Sequence, residues 1–193
     1  KGMQVEKFEE LVAANALYRP GPMNMKPIGA HEQFIINKFN PNKRKYAHKS
    51  LKPLLEETNG VLVFQEQLMF IAHEIGKMSL GEGDNLRKVM DNSGKLIAKK
   101  LQNIPLTEDE ENNKHYKDYV KLWHKFIDGA KSNGLSEDDV QAIESWLVEY
   151  LGYSFNKSHS VSYSYVAMQT LYLKHYYPTE FYCALLHHPK TST

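Results

Sequence analysis

Gly152-Tyr153-Ser154-Phe155-Asn156-Lys157-Ser158-His159-Ser160 sets a lysine, a histidine and several hydroxyl and amide groups where a long apolar-aromatic helical pattern opens. The first turn of a helix has backbone N–H groups without intrahelical partners, and the helix dipole is positive there. A cation added to that geometry suits a phosphate. Asn156, Ser158 and Ser160 are candidate caps, and an ordinary N-cap with solvent-facing basic neighbours is the alternative. Arg19-Pro20-Gly21-Pro22 is a stiff turn. It could aim a guanidinium fork at a phosphate or end a helix with Arg19 in a structural ion pair. Arg87-Lys88 lies among Leu86, Val89 and Met90, on or beside a buried edge, with Asp84 placed to orient Arg87. Gln65-Glu66-Gln67 offers alternating amides that could contact a template or nucleotide, or build a hydrogen-bond network at a helix start. Lys43-Arg44-Lys45 sits in a basic segment with Lys38, Lys49 and Lys52. Such a patch can hold a phosphate backbone or simply be a solvated loop. His31, His73, His115, His124, His187 and His188 show no ligand grouping, so zinc is not expected.

These groups must be carried by helices. Val5, Phe8, Leu11 and Val12 predict a first amphipathic helix stopped by Pro20 and Gly21. Met23 to Leu51 reads as loop-rich, with a short helix at Phe34–Ile36. Val61 to Phe64 is either a brief strand or the lead-in to a helix bearing Leu68, Ile71, Ala72 and Ile75. Ser79-Leu80-Gly81-Glu82 matches a capping box and predicts a helix that presents Leu86, Val89 and Met90 inward and breaks at Asp91–Gly94. A linker with Pro105 and the acidic run Glu108–Glu111 follows. Tyr116, Val120, Trp123, Ile127 and Ala130 predict a strong helix ending near Gly134. Ser136 with Asp139 starts another, with Val140, Ile143, Leu147 and Tyr150 on one face. The last long helix, about 158 to 177, carries Val161, Tyr165, Met168 and Tyr172 at helical spacing and is assigned to the core. Thr179 is the expected cap of a terminal helix through Leu186. Few segments favour strand, and the class is mainly α.

The chain has 193 residues, 41% of them hydrophobic, and a formal charge of +1. That is enough to bury a core as one domain or two subdomains. The near-zero total does not announce a nucleic-acid binder; the uneven distribution says more. A lone cysteine, Cys183, excludes an intramolecular disulfide and reads as a small buried hydrophobe. No apolar run reaches the roughly 20 residues that span a bilayer, and no signal peptide is visible. The start at Lys1 and the polar tail after Pro189 read as an excised piece of something larger. High Lys, Asn and Tyr usage fits an AT-rich genome, bacterial or bacteriophage.

Taken in order, Leu17–Met23, Val63–Met69, Asp84–Met90 and Gly152–Ser160, followed by Tyr172–Phe181, resemble the fingers region of the C-family DNA polymerases, the bacterial replicative DNA polymerase III alpha subunits. The resemblance runs from about Phe8 to about Leu186, joined by matching text at Leu51–Gly60 and Gly129–Gly134. It implies a mainly α, multi-helix fingers domain with a loop-rich N-terminal part and at most a few short strands. Residues 1–100 would face nucleotide and template, 101–115 would be an acidic linker, and 116–193 a helical part holding the Asn156–His159 element. The resemblance assigns Arg19, Arg87, Lys88, Lys157, Ser158 and His159 to the triphosphate of an incoming dNTP, where fixed cations stabilise the leaving pyrophosphate. His159 is either a general acid to that group or a neutral hydrogen-bonding residue. Gln65, Gln67, Lys43, Arg44 and Lys45 would meet template or DNA.

No catalytic or metal-binding residue is expected within the chain. In the family, Mg²⁺ is held by palm aspartates that would precede Lys1. Implied partners are primer-template DNA, dNTP, the palm and thumb, and replisome subunits such as the sliding clamp, in the bacterial cell interior and without a membrane. The alternative is a non-catalytic polymerase-like helical module that binds nucleic acid or a replisome subunit. One departure stands out: Met90-Asp91-Asn92-Ser93-Gly94-Lys95 puts an acid where the family continues with glycine and a basic pair.

Overall fold

Residues 2–187 are described by a computed structural model of the chain, and their regular secondary structure is helical. In chain order the helices are α1 (Phe8–Leu17), α2 (Pro20–Met23), α3 (Ala30–Phe39), α4 (Lys52–Leu55), α5 (Gln65–Glu74), α6 (Leu80–Leu101), α7 (Glu108–Glu111), α8 (Lys114–Ser132), α9 (Glu137–Glu149), α10 (Lys157–Tyr176) and α11 (Pro178–His187). The starts of α6 to α10 carry side-chain caps. Ser79 Oγ accepts from Glu82 N–H while the Glu82 carboxylate accepts from Ser79 N–H, opening α6. Thr107 with Glu110 and Ser136 with Asp139 repeat the arrangement at α7 and α9.

α6 is the hub, packing against α5, α8 and α9. Leu86, Met90 and Ile97 of α6 meet Leu68, Ile71 and Ala72 of α5, and Tyr119, Trp123, Phe126 and Ala130 of α8, in one buried cluster. The α8 rings stack in series, with Trp123 and Phe126 centroids 4.5 Å apart. α8 comes unusually close to the turn after α5. A Cβ on Gly129 would lie 1.8 Å from the Gly76 carbonyl oxygen, so only glycine fits there. α1 lies against α10, joining the two ends of the sequence.

Several expectations are corrected. α6 does not break at Asp91–Gly94: it runs 22 residues without interruption. Ion pairs from Arg87 to Asp84 and Asp91 bridge successive turns, Ser93 is buried, and a Cβ on Gly94 would meet Leu151 at ordinary contact distance. Tertiary packing outweighs the weak local propensity. The helix at Phe34–Ile36 grows to ten residues as α3. Pro20 starts α2 instead of merely ending α1, because proline suits the first helical position. Pro178 opens α11 in the same way, one residue before the expected cap Thr179. Val61 to Phe64 is extended and buried, with a single parallel bridge between Phe64 and Phe155 and no named strand among the described residues. Tyr165, Met168 and Tyr172 of α10, assigned to the core by their spacing, are exposed, as is Cys183. Spacing reports that a helix has an apolar face, not whether this chain supplies anything to cover it. His188 lies outside the described residues.

Candidate functional site

The Gly152–Ser160 element begins as a turn threaded between α5 and α1. Phe155 N–H donates to Val63 O and Gln65 N–H donates to Phe155 O, both at 2.9 Å, which aligns the start of α5 beside the start of α10. Asn156 is the cap: its Oδ1 accepts from His159 N–H at 2.8 Å and from Ser158 Oγ at 2.7 Å. Ser160 points the other way, buried, with its hydroxyl on Val12 O. The Glu66 carboxylate lies across the helix end, accepting Lys157 N–H with both oxygens at 3.0 Å and the Asn156 amide at 3.2 Å. Lys157 Nζ sits 2.7 Å from Glu57 and 5.6 Å from the Phe64 ring centre. His159 packs between Phe155 and Tyr163. The positive helix end is therefore met by a carboxylate of the chain itself.

Arg19 reaches the same turn. Its Nε donates to Ala16 O and its Nη2 to Tyr153 O, each at 2.7 Å, and Cζ stands 4.4 Å over the Phe155 ring. Partial burial lowers its pKa. It is a staple between the end of α1 and the lead-in to α10, held by backbone carbonyls and an aromatic ring.

Along α6, Arg87 is gripped from both sides, by Asp84 through Nε and Nη2 and by Asp91 through Nη1 at 3.1 Å. Lys88 Nζ pairs with Asp84 at 2.6 Å while remaining half exposed. The Lys88 hydrogen bond holds the Asp84 carboxyl below its ordinary value, against burial and with help from Arg87. Asp91 also accepts Gly152 N–H at 3.0 Å. One carboxylate thus joins the Arg87-Lys88 pair to the turn that leads into Lys157. Arg87 and Lys157 lie on connected elements, each with its own carboxylate counter-ion.

The amide pair divides. Gln67 is buried and fully engaged: Oε1 accepts from Val63 and Phe64 N–H, and Nε2 donates to Thr58 Oγ1 and Leu54 O. This is the helix-start network, and it leaves Gln67 nothing to offer a template. Gln65, on the same turn, is only partly covered. The basic triplet divides as well. Lys43 and Lys45 are exposed on the wall of a groove of about 470 Å³ that also includes Tyr46, Trp146 and Tyr150. Arg44 instead donates to Asn37 O and Asn59 Oδ1. Glu57, Glu66 and Phe155 were not singled out in the sequence. Glu66 stood inside a motif read for its amides, and Glu57 is 100 residues from its partner, beyond any local signal.

Among the described residues, no three His, Cys, Asp or Glu side chains are grouped to hold a metal ion, and no helix is long and apolar enough to cross a membrane.

Residues 1–113 match the family described as bacterial DNA polymerase III alpha subunit finger domain. The DNA polymerase III subunit alpha of Campylobacter jejuni is 40% identical over 184 residues, which is 95% of this chain and 13% of its own length. That of Staphylococcus epidermidis is 37% identical over 186 residues, 96% of this chain and 15% of its own. That of Chlamydia trachomatis is 38% identical over 186 residues, again 96% of this chain and 13% of its own. The chain therefore spans about one seventh of the length of these curated relatives.

Proposed function

The chain belongs to the bacterial DNA polymerase III alpha subunit finger-domain family, and from that premise we propose that it forms the fingers of a replicative, DNA-directed DNA polymerase. Its task is to grip the triphosphate of the incoming dNTP with Arg87, Lys88 and Lys157, assisted by Ser158 and His159 at the start of α10. Arg19 positions that turn. Lys43 and Lys45, with Gln65 beside them in the assignment, meet template or duplex backbone. Mg²⁺ and the carboxylates that bind it belong to other parts of the polymerase. The acids of this chain do not form a metal seat among the described residues, so no step of the transfer is assigned to them.

One observation carries the reading: Asp91 holds Arg87 with one oxygen and the Gly152 amide with the other. It joins two basic motifs that are far apart in sequence. Each cation is balanced by a carboxylate, Asp84, Asp91 or Glu57. A triphosphate offers the same kind of oxygen acceptor with more charge, so binding exchanges one set of acceptors for another and costs the cations little net hydrogen bonding.

The test is made in the polymerase that carries these fingers. Lys157→Ala or Arg87→Ala should lower kcat/KM for nucleotide incorporation by about ten- to a hundredfold, the value of a charge-assisted hydrogen bond of roughly 1.5–3 kcal/mol. Primer-template affinity should stay nearly unchanged. Lys43→Ala with Lys45→Ala should instead flatten the salt dependence of DNA binding. If Lys157→Ala weakens DNA binding but leaves nucleotide kinetics intact, the start of α10 is a DNA contact and the triphosphate assignment fails.

A further inference from the structure

α10 is packed inside out. The side chains it buries are Ser160 and Ser164, both 0% exposed. Ser160 Oγ donates to Val12 O at 2.6 Å, Ser164 Oγ donates to Ser160 O at 2.9 Å, and Asn15 Nδ2 donates to Ser164 Oγ at 2.7 Å. These small polar groups let α1 and α10 approach closely. The aromatic and aliphatic side chains face outward: Tyr163 is 63% exposed, Leu171 66%, Tyr176 62% and, on α11, Leu186 78%. Twelve of the twenty-one large hydrophobic side chains that the described residues expose fall between Tyr163 and Leu186. Scattered exposed leucines need no explanation, but a concentration of this kind marks an interaction surface. α10 contains no Asp or Glu, and its large apolar side chains lie outside the serine seam that meets α1.

We propose that the outer face of α10 and α11 is a docking surface covered by an apolar protein layer from another part of the polymerase polypeptide. The inference rests on the fingers reading but not on the triphosphate grip. The relatives choose this occupant. They match 95–96% of this chain with only 13–15% of their own length, so the equivalent helices are embedded in a much longer chain. Nucleic acid fits poorly. The exposed tyrosines could stack on bases, but Val166, Met168 and Leu171 between them cannot. Lys174 is the one Lys or Arg from residue 163 to 186, and protein–DNA interfaces are more polar and more basic than this face. The tyrosines suit a protein interface, where the ring is buried and the hydroxyl finds an acceptor.

Cys183, the only cysteine of the chain, lies on α11 within this face and is exposed, which makes it a probe. Its alkylation by a neutral maleimide, timed by peptide mass mapping, is compared between this chain alone and the full-length polymerase, with amide hydrogen exchange followed across residues 163–186. Alkylation and exchange should both slow at least ~10-fold in the polymerase, because both need the face to open. Leu171→Glu should restore labelling in the polymerase yet leave the urea midpoint of this chain unchanged, since Leu171 contributes nothing to its own core. Equal labelling in the two proteins overturns the proposal. So does protection in this chain alone that rises with concentration and is abolished by Leu171→Glu, because a second copy would then be the occupant. Protection that appears only when DNA is added overturns it in favour of nucleic acid. No nucleotide is present in the measurement. A Lys157→Ala polymerase with normal nucleotide kinetics and a protected Cys183 would therefore sink the triphosphate assignment and leave this surface standing.

Discussion

Single residues in this chain are committed more tightly than their types suggest. Gln67 could have been a template contact, but its amide closes four hydrogen bonds inside the protein. Gln67→Ala would leave the Val63 and Phe64 amides buried without acceptors, and such orphaned groups cost about 1–3 kcal/mol. A urea midpoint lowered by an amount in that range, with an unchanged slope, is the expected measurement. Glu144 carries a pH dependence. Burial raises its carboxyl above the ordinary value of 4.5, and the hydrogen bond it receives from Tyr119 offsets that only in part. An acid whose pKa is higher folded than unfolded contributes most below the unfolded value, and the contribution is lost as pH rises through the folded one. Glu144→Gln should therefore flatten the fall in melting temperature just above pH 4.5. Asp84 works in the opposite sense: its lowered pKa favours the fold above its ordinary value of 3.8, and that is lost as pH falls. The variant should thus leave the acid limb of the curve in place.

At the scale of the helix, the ends were written locally and the interiors were not. Ser79, Ser136 and Asn156 cap the helices that follow them because a cap needs only three or four consecutive residues. The uninterrupted course of α6 through Asp91–Gly94 could not be read in the same way, since it depends on Leu151 and on the pairing of Arg87. Two glycines separate the cases. Gly94→Ala puts a methyl in ordinary contact with Leu151 at 3.4 Å and should stabilise the domain by roughly 0.5–1 kcal/mol through helix propensity. Gly129→Ala makes the same chemical change in another helix interior, but its methyl would collide with the Gly76 backbone. It should destabilise by about 3 kcal/mol or more, as overpacking does. Thermal denaturation of the two variants should move the midpoint in opposite directions. A shift in the same direction would mean that α8 does not approach the α5–α6 turn as closely as described.

For the molecule as a whole, the proposal that other parts of the polymerase hold Mg²⁺ predicts that this chain alone will not extend a primer with Mg²⁺ or Mn²⁺. Incorporation that persisted through repeated purification would mean that it carries its own metal seat. The residues alone determined the helical class, the starts of α6, α9 and α10, and the ordered motifs around Arg19, Gln65–Gln67, Arg87-Lys88 and Asn156–His159 that mark the family. Caps, periodicity and motif spacing act over a few residues, so one dimension suffices to read them. Only the tertiary structure decided that Gln67 and Arg44 are spent internally and that Arg19 is a staple. It alone decided that Glu57 and Glu66 neutralise the start of α10, and that this helix buries its serines while its tyrosines and leucines face out. Those outcomes depend on which groups meet across long stretches of chain, as Lys157 meets Glu57 and Ser160 meets Val12. A hydrogen bond or an ion pair is made with whatever the fold brings within reach, and periodicity cannot name a partner that lies a hundred residues away.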